Sequence, residues 1–337
     1  MKVAFYLPRG VFGGGERVII TLAREFQKKD IEVLVCTRDT YDYNLVPARV
    51  VKFDCQRNKV FQIFEACRFL KNEKVSHIIV FHPDTILYCA SVLTGVKYIY
   101  SLRVDPKQVD WSKFMYRHII QNCYKIVFQT KKVQSFFSED VRSRSRVIFN
   151  PILDENLPDI QKERAKRIVM VGRLSEEKNY PMALRAFANV VRNGYKLHIY
   201  GVGPMERELR RLVSELGLLH DVVFEGQVKK VVSHIKDADI FLLTSNFEGM
   251  PNALIEGMAM GMACISTDFP SGAAKELIKD GEDGFVVPMD DVDALISKLK
   301  MLIENKEMRL LFQSKASEIR DRQGIDTIVE EWLEFIE

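Results

Sequence analysis

Two glutamates stand eight positions apart in Phe247-Glu248-Gly249-Met250-Pro251-Asn252-Ala253-Leu254-Ile255-Glu256. Glu248 belongs to a loop and Glu256 to the opening turns of a helix. Gly249 and Pro251 sharpen the bend between them. Loop amides around Gly249–Asn252 suit an anion, while both carboxylates can reach hydroxyls of the same ligand. The plain alternative is a helix acid beside an exposed loop acid. A second cluster, Val171-Gly172-Arg173-Leu174-Ser175-Glu176-Glu177-Lys178-Asn179, offers a planar donor fork in Arg173 and a compact charge in Lys178. The two cations suit a diphosphate, whose charge must be neutralised from more than one side. A solvated loop with incidental charges is the alternative. A third cluster, Gly13-Gly14-Gly15, lets backbone approach a ligand at the start of a helix. Its spacing with Gly10 is not GxGxxG, and no Gly-Lys-Ser/Thr follows. A tight strand-to-helix turn explains it equally well.

These clusters need a scaffold, and the hydrophobic pattern supplies one. Short apolar runs at Lys2–Leu7, Glu32–Cys36, His77–Phe81, Lys97–Leu102 and Lys125–Phe128 read as strands. Glu16–Lys29 carries Val18, Ile19, Leu22, Ala23 and Phe26 at helical spacing, and Phe61–Leu70 is also helical. Asn150-Pro151 and the polar stretch Asp154–Lys166 break the series. A second series follows, with strands Ile168–Val171, Leu197–Tyr200, Val222–Phe224, Ile240–Thr244 and Ala263–Thr267. Its helices are expected at Pro181–Arg192, Met205–Leu216, Asn252–Met260 and Val292–Ile303. Ile325–Ile336 is a separate amphipathic helix. Alternation of this kind predicts α/β architecture with parallel sheets, because parallel strands need crossover connections. Two domains are expected: 1–152, with the C-terminal segment 322–337 packed back onto it, and 153–321. The natural ligand site of such a chain is the cleft where the carboxyl ends of both strand sets meet.

Composition narrows the function classes. The 337 residues carry 49 Lys+Arg against 46 Asp+Glu, a net charge of +3, and 47% are hydrophobic. The balance excludes an acidic disordered chain and argues against a nucleic-acid partner. The cysteines at 36, 55, 67, 89, 123 and 264 form no CxxC, and no His cluster completes a zinc spacing. Free thiols in a reducing, cytoplasmic compartment are expected. No signal peptide and no run of ~18 uncharged apolar residues stands out.

The motifs together resemble a known family. The GGGERV turn, the VGRLSEEKN loop, the IYGVGP turn, the E-x7-E pair, and Gly272 through Glu276 followed by Asp283-Gly284-Phe285-Val286-Val287-Pro288 occur in this order. That set resembles the retaining glycosyltransferases of family 4, which have the GT-B fold of two facing Rossmann-like domains with a cleft between them. Ser101-Leu102-Arg103-Val104-Asp105-Pro106 is similar to the Ser-Glu-Arg-Asn-Asp-Pro stretch of bacterial members. Those members include N-acetylgalactosaminyltransferases of lipid-linked glycan assembly; Leu102 departs from their pattern. The resemblance implies that Arg173 and Lys178 hold the donor diphosphate, with Gly14 and Gly15 approaching it from the other domain. It implies that Glu256 binds the ribose, and that Glu248 with Gly249, Met250, Pro251 and Asn252 holds the donor sugar. Gly201 and Gly203 would line the nucleotide pocket and Val228 would contact the base. His82, Arg103 and Asp105 would lie on the sugar or acceptor side.

The expected activity is transfer of a hexose or N-acetylhexosamine from a UDP-sugar to a saccharide hydroxyl, with retention. The acceptor implied is polyprenyl-diphosphate-linked. No metal and no cofactor is expected, because Arg173, Lys178 and helix N-termini would stabilise the leaving diphosphate. Asp237-Ala238-Asp239 runs into a strand and reads as structural. Rivals on the same architecture are an epimerase or hydrolase of nucleotide sugars, a phosphorylase and a non-catalytic sugar-nucleotide-binding module. A nicotinamide oxidoreductase is disfavoured by the glycine spacing. The segment 107–132 interleaves Trp111, Phe114, Tyr116 and Tyr124 with Lys107, Lys113, Arg117, Lys125, Lys131 and Lys132. This mixture suits an anionic membrane surface, hence peripheral association at its cytoplasmic face, or else an ordinary amphipathic helix.

Overall fold

The computed structural model describes residues 1–8, 13–38, 46–53, 58–110, 112–154, 157–161 and 163–337. Gly10, Cys55 and Trp111 lie outside the described residues. The chain forms two compact units. The first comprises Met1–Leu153 with Ile325–Glu337, and the second Asp154–Gly324.

In the first unit the strands are β1 (Lys2–Leu7), β2 (Glu32–Thr37), β3 (Arg49–Lys52), β4 (His77–Val80), β5 (Lys97–Leu102), β6 (Lys125–Phe128) and β7 (Ser145–Val147). They make one sheet of order β3-β2-β1-β4-β5-β6-β7, parallel throughout. Its helices are α1 (Gly14–Lys28), α2 (Lys59–Asn72), α3 (Thr85–Thr94), α4 (Phe114–Asn122), α5 (Lys131–Ser135) and α6 (Glu139–Ser143). Order reverses between β1 and β4, so the loops leaving these two strands flank the place where such sheets hold ligands. Nearly all side chains of β1 and β4 are buried, as expected for strands covered on both faces. On one face α1 lays Val18, Ile19, Leu22 and Phe26 against the sheet. A helix near the C-terminus joins that same layer through Ile328, Val329, Trp332 and Ile336. The opposite face is covered by α2 to α6, through residues such as Phe69, Leu87, Ile119 and Val141.

The second unit repeats the plan. Its strands are β8 (Ala165–Val171), β9 (Lys196–Tyr200), β10 (Val222–Gly226), β11 (Ala238–Leu243), β12 (Ala263–Thr267) and β13 (Gly284–Val287). The sheet order is β10-β9-β8-β11-β12-β13, again parallel, with the reversal between β8 and β11. Helices α7 (Tyr180–Ala188), α8 (Glu206–Glu215), α9 (Val231–Ile235), α10 (Asn252–Ala259), α11 (Ala273–Leu277), α12 (Val292–Glu304), α13 (Lys306–Ala316) and α14 (Ile319–Arg322) pack around it. The helix near the C-terminus, α15, spans Ile325–Ile336.

Helix α7 stops four residues short of the Arg192 expected from sequence. Asn193 and Gly194 both adopt positive φ (46° and 83°), and the Tyr195 amide closes a turn on the Arg192 carbonyl at 2.7 Å. That turn delivers Tyr195 into the core, where its hydroxyl donates to Asp239 at 2.8 Å. Arg322 keeps to the second unit, with Nη2 3.4 Å from the Leu277 carbonyl and 3.9 Å from Asp283. No described helix is long and apolar enough to cross a membrane.

Candidate active site

The most organised polar cluster sits at the reversal point of the second sheet. Its anchor is the loop after β8, which contains Arg173 and Lys178. The loop after β9 presses against it. Gly172 N–H donates to the Tyr200 carbonyl (3.0 Å), Leu174 N–H to Val202 (3.1 Å) and Met205 N–H to Leu174 (3.0 Å). Contact this close leaves no space for side chains. A Cβ on Gly201 would stand 1.9 Å from the Gly172 oxygen, and one on Gly203 would stand 2.3 Å from the Leu174 oxygen. Both glycines are therefore required by the protein's own backbone packing, whatever else they line. Gly201 also donates to the Gly226 carbonyl (2.8 Å), which ties in the end of β10 ahead of partly buried Val228.

On the other side of the reversal, the loop after β11 is bolted to the same anchor. Thr244 Oγ1 donates to the carbonyls of Lys178 (3.1 Å) and Asn179 (2.9 Å). Asn246 N–H donates to the Glu177 carbonyl at 2.8 Å, and Asn179 Nδ2 donates to Asn246 Oδ1 at 3.1 Å. Asn179 holds a left-handed conformation (φ 45°), which turns the chain from the Lys178 turn into α7.

Held this way, Lys178 Nζ donates to Glu248 Oε1 at 2.5 Å, and Ser245 Oγ donates to the same oxygen at 2.7 Å. The lysine side chain is 20% exposed and the glutamate 13%, so the pair is sheltered yet open on one side. Arg173 differs. It is exposed and forms no ion pair among the described residues. The cluster thus offers one cation restrained by a carboxylate and one at large.

Beyond Glu248, the Gly249 carbonyl accepts from Ser271 Oγ at 2.9 Å. Met250 and Pro251 are buried, and Pro251 precedes Asn252, the first residue of α10. Glu256 lies in the second turn of that helix and is almost wholly buried. Asp237 pairs with Arg167 at 2.7 Å, and Asp239 accepts from Tyr195 and Gln313, so both acids of Asp237-Ala238-Asp239 have structural partners. No group of three or more His, Cys, Asp or Glu among the described residues is arranged to hold a metal ion.

The first unit places its candidates after β1, β4 and β5, neighbours in the sheet. Gly13 N–H donates to Glu16 Oε2 at 3.1 Å, so the N-cap amide just ahead of α1 is satisfied by the helix's own buried carboxylate. Gly15 is unlike Gly201: a Cβ there would meet only Phe81 Cδ2, at an ordinary 3.9 Å. His82 follows Phe81 and is exposed. Arg103 lies over the same Phe81 ring, its Cζ 3.6 Å from the centroid. Arg103 Nε donates to Ser101 Oγ (3.0 Å), and its Nη1 donates to Asn150 Oδ1, which also accepts from Gln129. Asp105 is buried, and its carboxylate accepts from Lys107 N–H at 2.9 Å, capping a short 3-10 turn.

Sequence reasoning overlooked Thr244, Ser245, Asn246, Glu16 and Phe81. The polar triplet Thr244-Ser245-Asn246 directly after an apolar strand was the available signal for three of them. Glu16, three residues after Gly13, was a legible helix cap.

Comparison with known proteins assigns the second unit. Residues 154–318 match the family model described as glycosyl transferases group 1. The second unit is a group 1 glycosyltransferase domain. That match lies wholly within the second unit, Asp154–Gly324. Over its whole length the chain is 28% identical to a Campylobacter jejuni protein, covering 98% of that relative. That protein is named as a GalNAc-alpha-(1->4)-GalNAc-alpha-(1->3)-diNAcBac-PP-undecaprenol alpha-1,4-N-acetyl-D-galactosaminyltransferase. It is 24% identical to the amylovoran biosynthesis glycosyltransferase AmsD of Erwinia amylovora, with 96% of each chain covered. In fold it resembles the crystal structure of Anabaena HepE in complex with UDP, at a TM-score of 0.86 and 18% identity, with 100% and 99% of the two chains covered. The α/β GT-B class expected from sequence holds, with the group 1 domain supplying the Lys178–Glu248 pair.

Proposed function

We propose that the chain transfers a hexosyl or N-acetylhexosaminyl group from a UDP-sugar to a hydroxyl of a polyprenyl-diphosphate-linked saccharide, with retention, in bacterial glycan or polysaccharide biosynthesis. The observation that carries this reading is the sheltered Lys178–Glu248 pair, made by two loops at the reversal of a group 1 domain. The relative named for a PP-undecaprenol substrate supports the acceptor class, and the UDP-bound fold relative supports the base.

The chemistry follows from charge. As the bond from the anomeric carbon to the donor phosphate breaks, negative charge grows on the leaving diphosphate. Arg173 meets it first, being unpaired. Lys178 turns part of its hydrogen bonding from Glu248 to a phosphoryl oxygen, and Glu248 is freed to accept from a sugar hydroxyl. Preorganised cations of this type are usually the largest catalytic contribution. The acceptor oxygen bonds to the anomeric carbon on the face the phosphate leaves, and its proton passes to a phosphoryl oxygen. No protein nucleophile and no divalent ion is assigned a step. Buried Glu256 is assigned to the ribose, Gly14 and Gly15 to the donor phosphates, Val228 to the base and His82 to the sugar side.

A thermal-shift screen across nucleoside diphosphates tests the donor. UDP is expected to raise the melting temperature selectively, as any ligand of the native state does by mass action. An equal response to GDP and ADP overturns the uridine assignment. Acceptor-independent breakdown of the donor, unchanged by adding a prenyl-linked saccharide, favours a hydrolase instead. Peripheral membrane association is part of the same reading. Helix α4 buries Ile119 and Ile120, yet leaves Phe114 68% exposed with Lys113 and Arg117 exposed near it in sequence, and Lys131 and Lys132 are exposed at the start of α5. Flotation with phosphatidylglycerol vesicles and none with phosphatidylcholine is expected; no flotation with either points to a soluble acceptor.

A further inference from the structure

The ends of four strands in the first unit converge on one cation. Arg103 follows β5, its ring partner Phe81 follows β4, Gln129 follows β6 and Asn150 follows β7. Every partner is neutral: a serine hydroxyl, an amide oxygen and an aromatic face. No carboxylate pairs with Arg103 among the described residues, and its Nη2 is buried without a hydrogen-bond acceptor. The nearest acid in sequence, Asp105, is committed to the backbone of the turn that follows. Burial pushes the guanidinium down to about 9, still charged at neutral pH.

A partly buried cation with an unsatisfied donor and no counter-ion is costly unless something else supplies the anion. Other arginines in the same unit are treated differently. Arg38 pairs with buried Asp84 at 2.8 Å, and Arg146 pairs with Glu334 at 2.7 Å. The Asn150–Gln129 pair also orients the fork, since Gln129 Nε2 holds the Asn150 oxygen toward Nη1. Such a fork, fixed by neutral groups with Nη2 left without an acceptor, can give that donor to a phosphoryl oxygen. Its place at the carboxyl ends of parallel strands is where such sheets receive ligands.

We propose that Arg103 is an anion receptor of the first unit that binds the diphosphate of the prenyl-linked acceptor. This rests on the acceptor class proposed above, and it separates Arg103 from the donor diphosphate assigned to Arg173 and Lys178. The role is recognition: Arg103 fixes the acceptor by its phosphates and does not enter bond making.

Calorimetric titration of the full chain with farnesyl diphosphate, farnesol and UDP tests it. The wild type is expected to bind farnesyl diphosphate about ten- to a hundredfold more tightly than farnesol, the usual effect of a charged hydrogen bond. R103Q is expected to erase that preference while leaving UDP affinity within about twofold, and R103K to retain part of it. Equal binding of the two prenyl probes to the wild type overturns the proposal without any variant. A preference that survives R103Q also overturns it. A loss in R103Q that falls on UDP moves the site to the donor diphosphate and overturns the acceptor assignment. Failure of UDP to bind the wild type would count against the donor reading alone, since the prenyl probes judge Arg103 independently.

Discussion

The two sheets share the order of their first six strands but secure the loops at their carboxyl ends by different means. In the second unit the securing is done largely by backbone. Gly201 and Gly203 admit main chain to main chain, and Thr244 and Asn246 tie the β11 loop to the β8 loop through carbonyls. In the first unit it is done by side chains from separate strands: Phe81, Arg103, Gln129 and Asn150. Their cations differ accordingly. Lys178 rests against a carboxylate, whereas Arg103 has only neutral partners. A backbone-built site demands fixed residues at short spacing. A side-chain-built site draws single residues from far apart.

The contrast is sharpest at the Lys178–Glu248 pair. E248A or K178A is expected to lower kcat by about 10²- to 10³-fold, the range for removing one preorganised stabilising group. Initial rates with saturating donor, beside unchanged circular dichroism, measure it. Near-normal turnover in both variants would remove the pair from the site.

Acid should divide the units next. His77, buried on β4, has its pKa pushed down to about 4 by burial first and then by Lys97 and Lys125. The unfolded chain therefore binds the extra proton between pH ~6.5 and ~4, and the first unit loses stability as pH falls through that window. The loss approaches about 3 kcal/mol and is complete below pH 4. Asp283 in the second unit has the opposite sign. Burial raises its pKa, so the stability it contributes is present at low pH and lost as pH rises. Hydrogen exchange at pH 5 should show β4 and β5 opening before β11 and β12, and H77N should remove the difference. Simultaneous opening of both sheets would contradict it.

The glycines give the smallest contrast. G201A should destabilise the second unit by about 1–3 kcal/mol, because its methyl meets a carbonyl oxygen that cannot retreat. G15A should leave melting unchanged or raise stability by up to about 1 kcal/mol, since alanine favours the helix, while weakening UDP binding. Calorimetric scans of both variants compare them directly. Equal destabilisation would mean that the two turns need glycine for the same reason.

This difference also accounts for what was legible in the sequence. The loop holding Arg173 and Lys178, the Gly201–Gly203 turn and the Glu248–Glu256 stretch were readable because backbone packing ties them to short, fixed spacings. The Arg103 environment was not, because Phe81, Gln129 and Asn150 come from three other strand ends and form no local pattern. Similar reasons apply to the fold. Strands β1, β5, β6 and β12 carry dense apolar runs and were bounded correctly. Edge strands β3 and β7 have no fully buried residue, so no apolar run announced them. Helix α3 went unseen because Thr85–Thr94 is apolar on nearly every side and shows no stripe. Helix α7 was overextended because the Asn193-Gly194 turn was not weighed against the helical pattern.

Helix α15 has a consequence for how the protein is made. Trp332 is fully buried and stacks on Phe81 with centroids 6.3 Å apart, inside the apolar layer that α1 forms on the first sheet. Those residues leave the ribosome only after all of the second unit has been synthesised. The unit that begins first is therefore completed last, and through that interval its sheet carries an uncovered apolar groove. Nascent chains stalled before residue 325 should consequently hold a finished group 1 domain beside an unfinished partner, the form most in need of a chaperone.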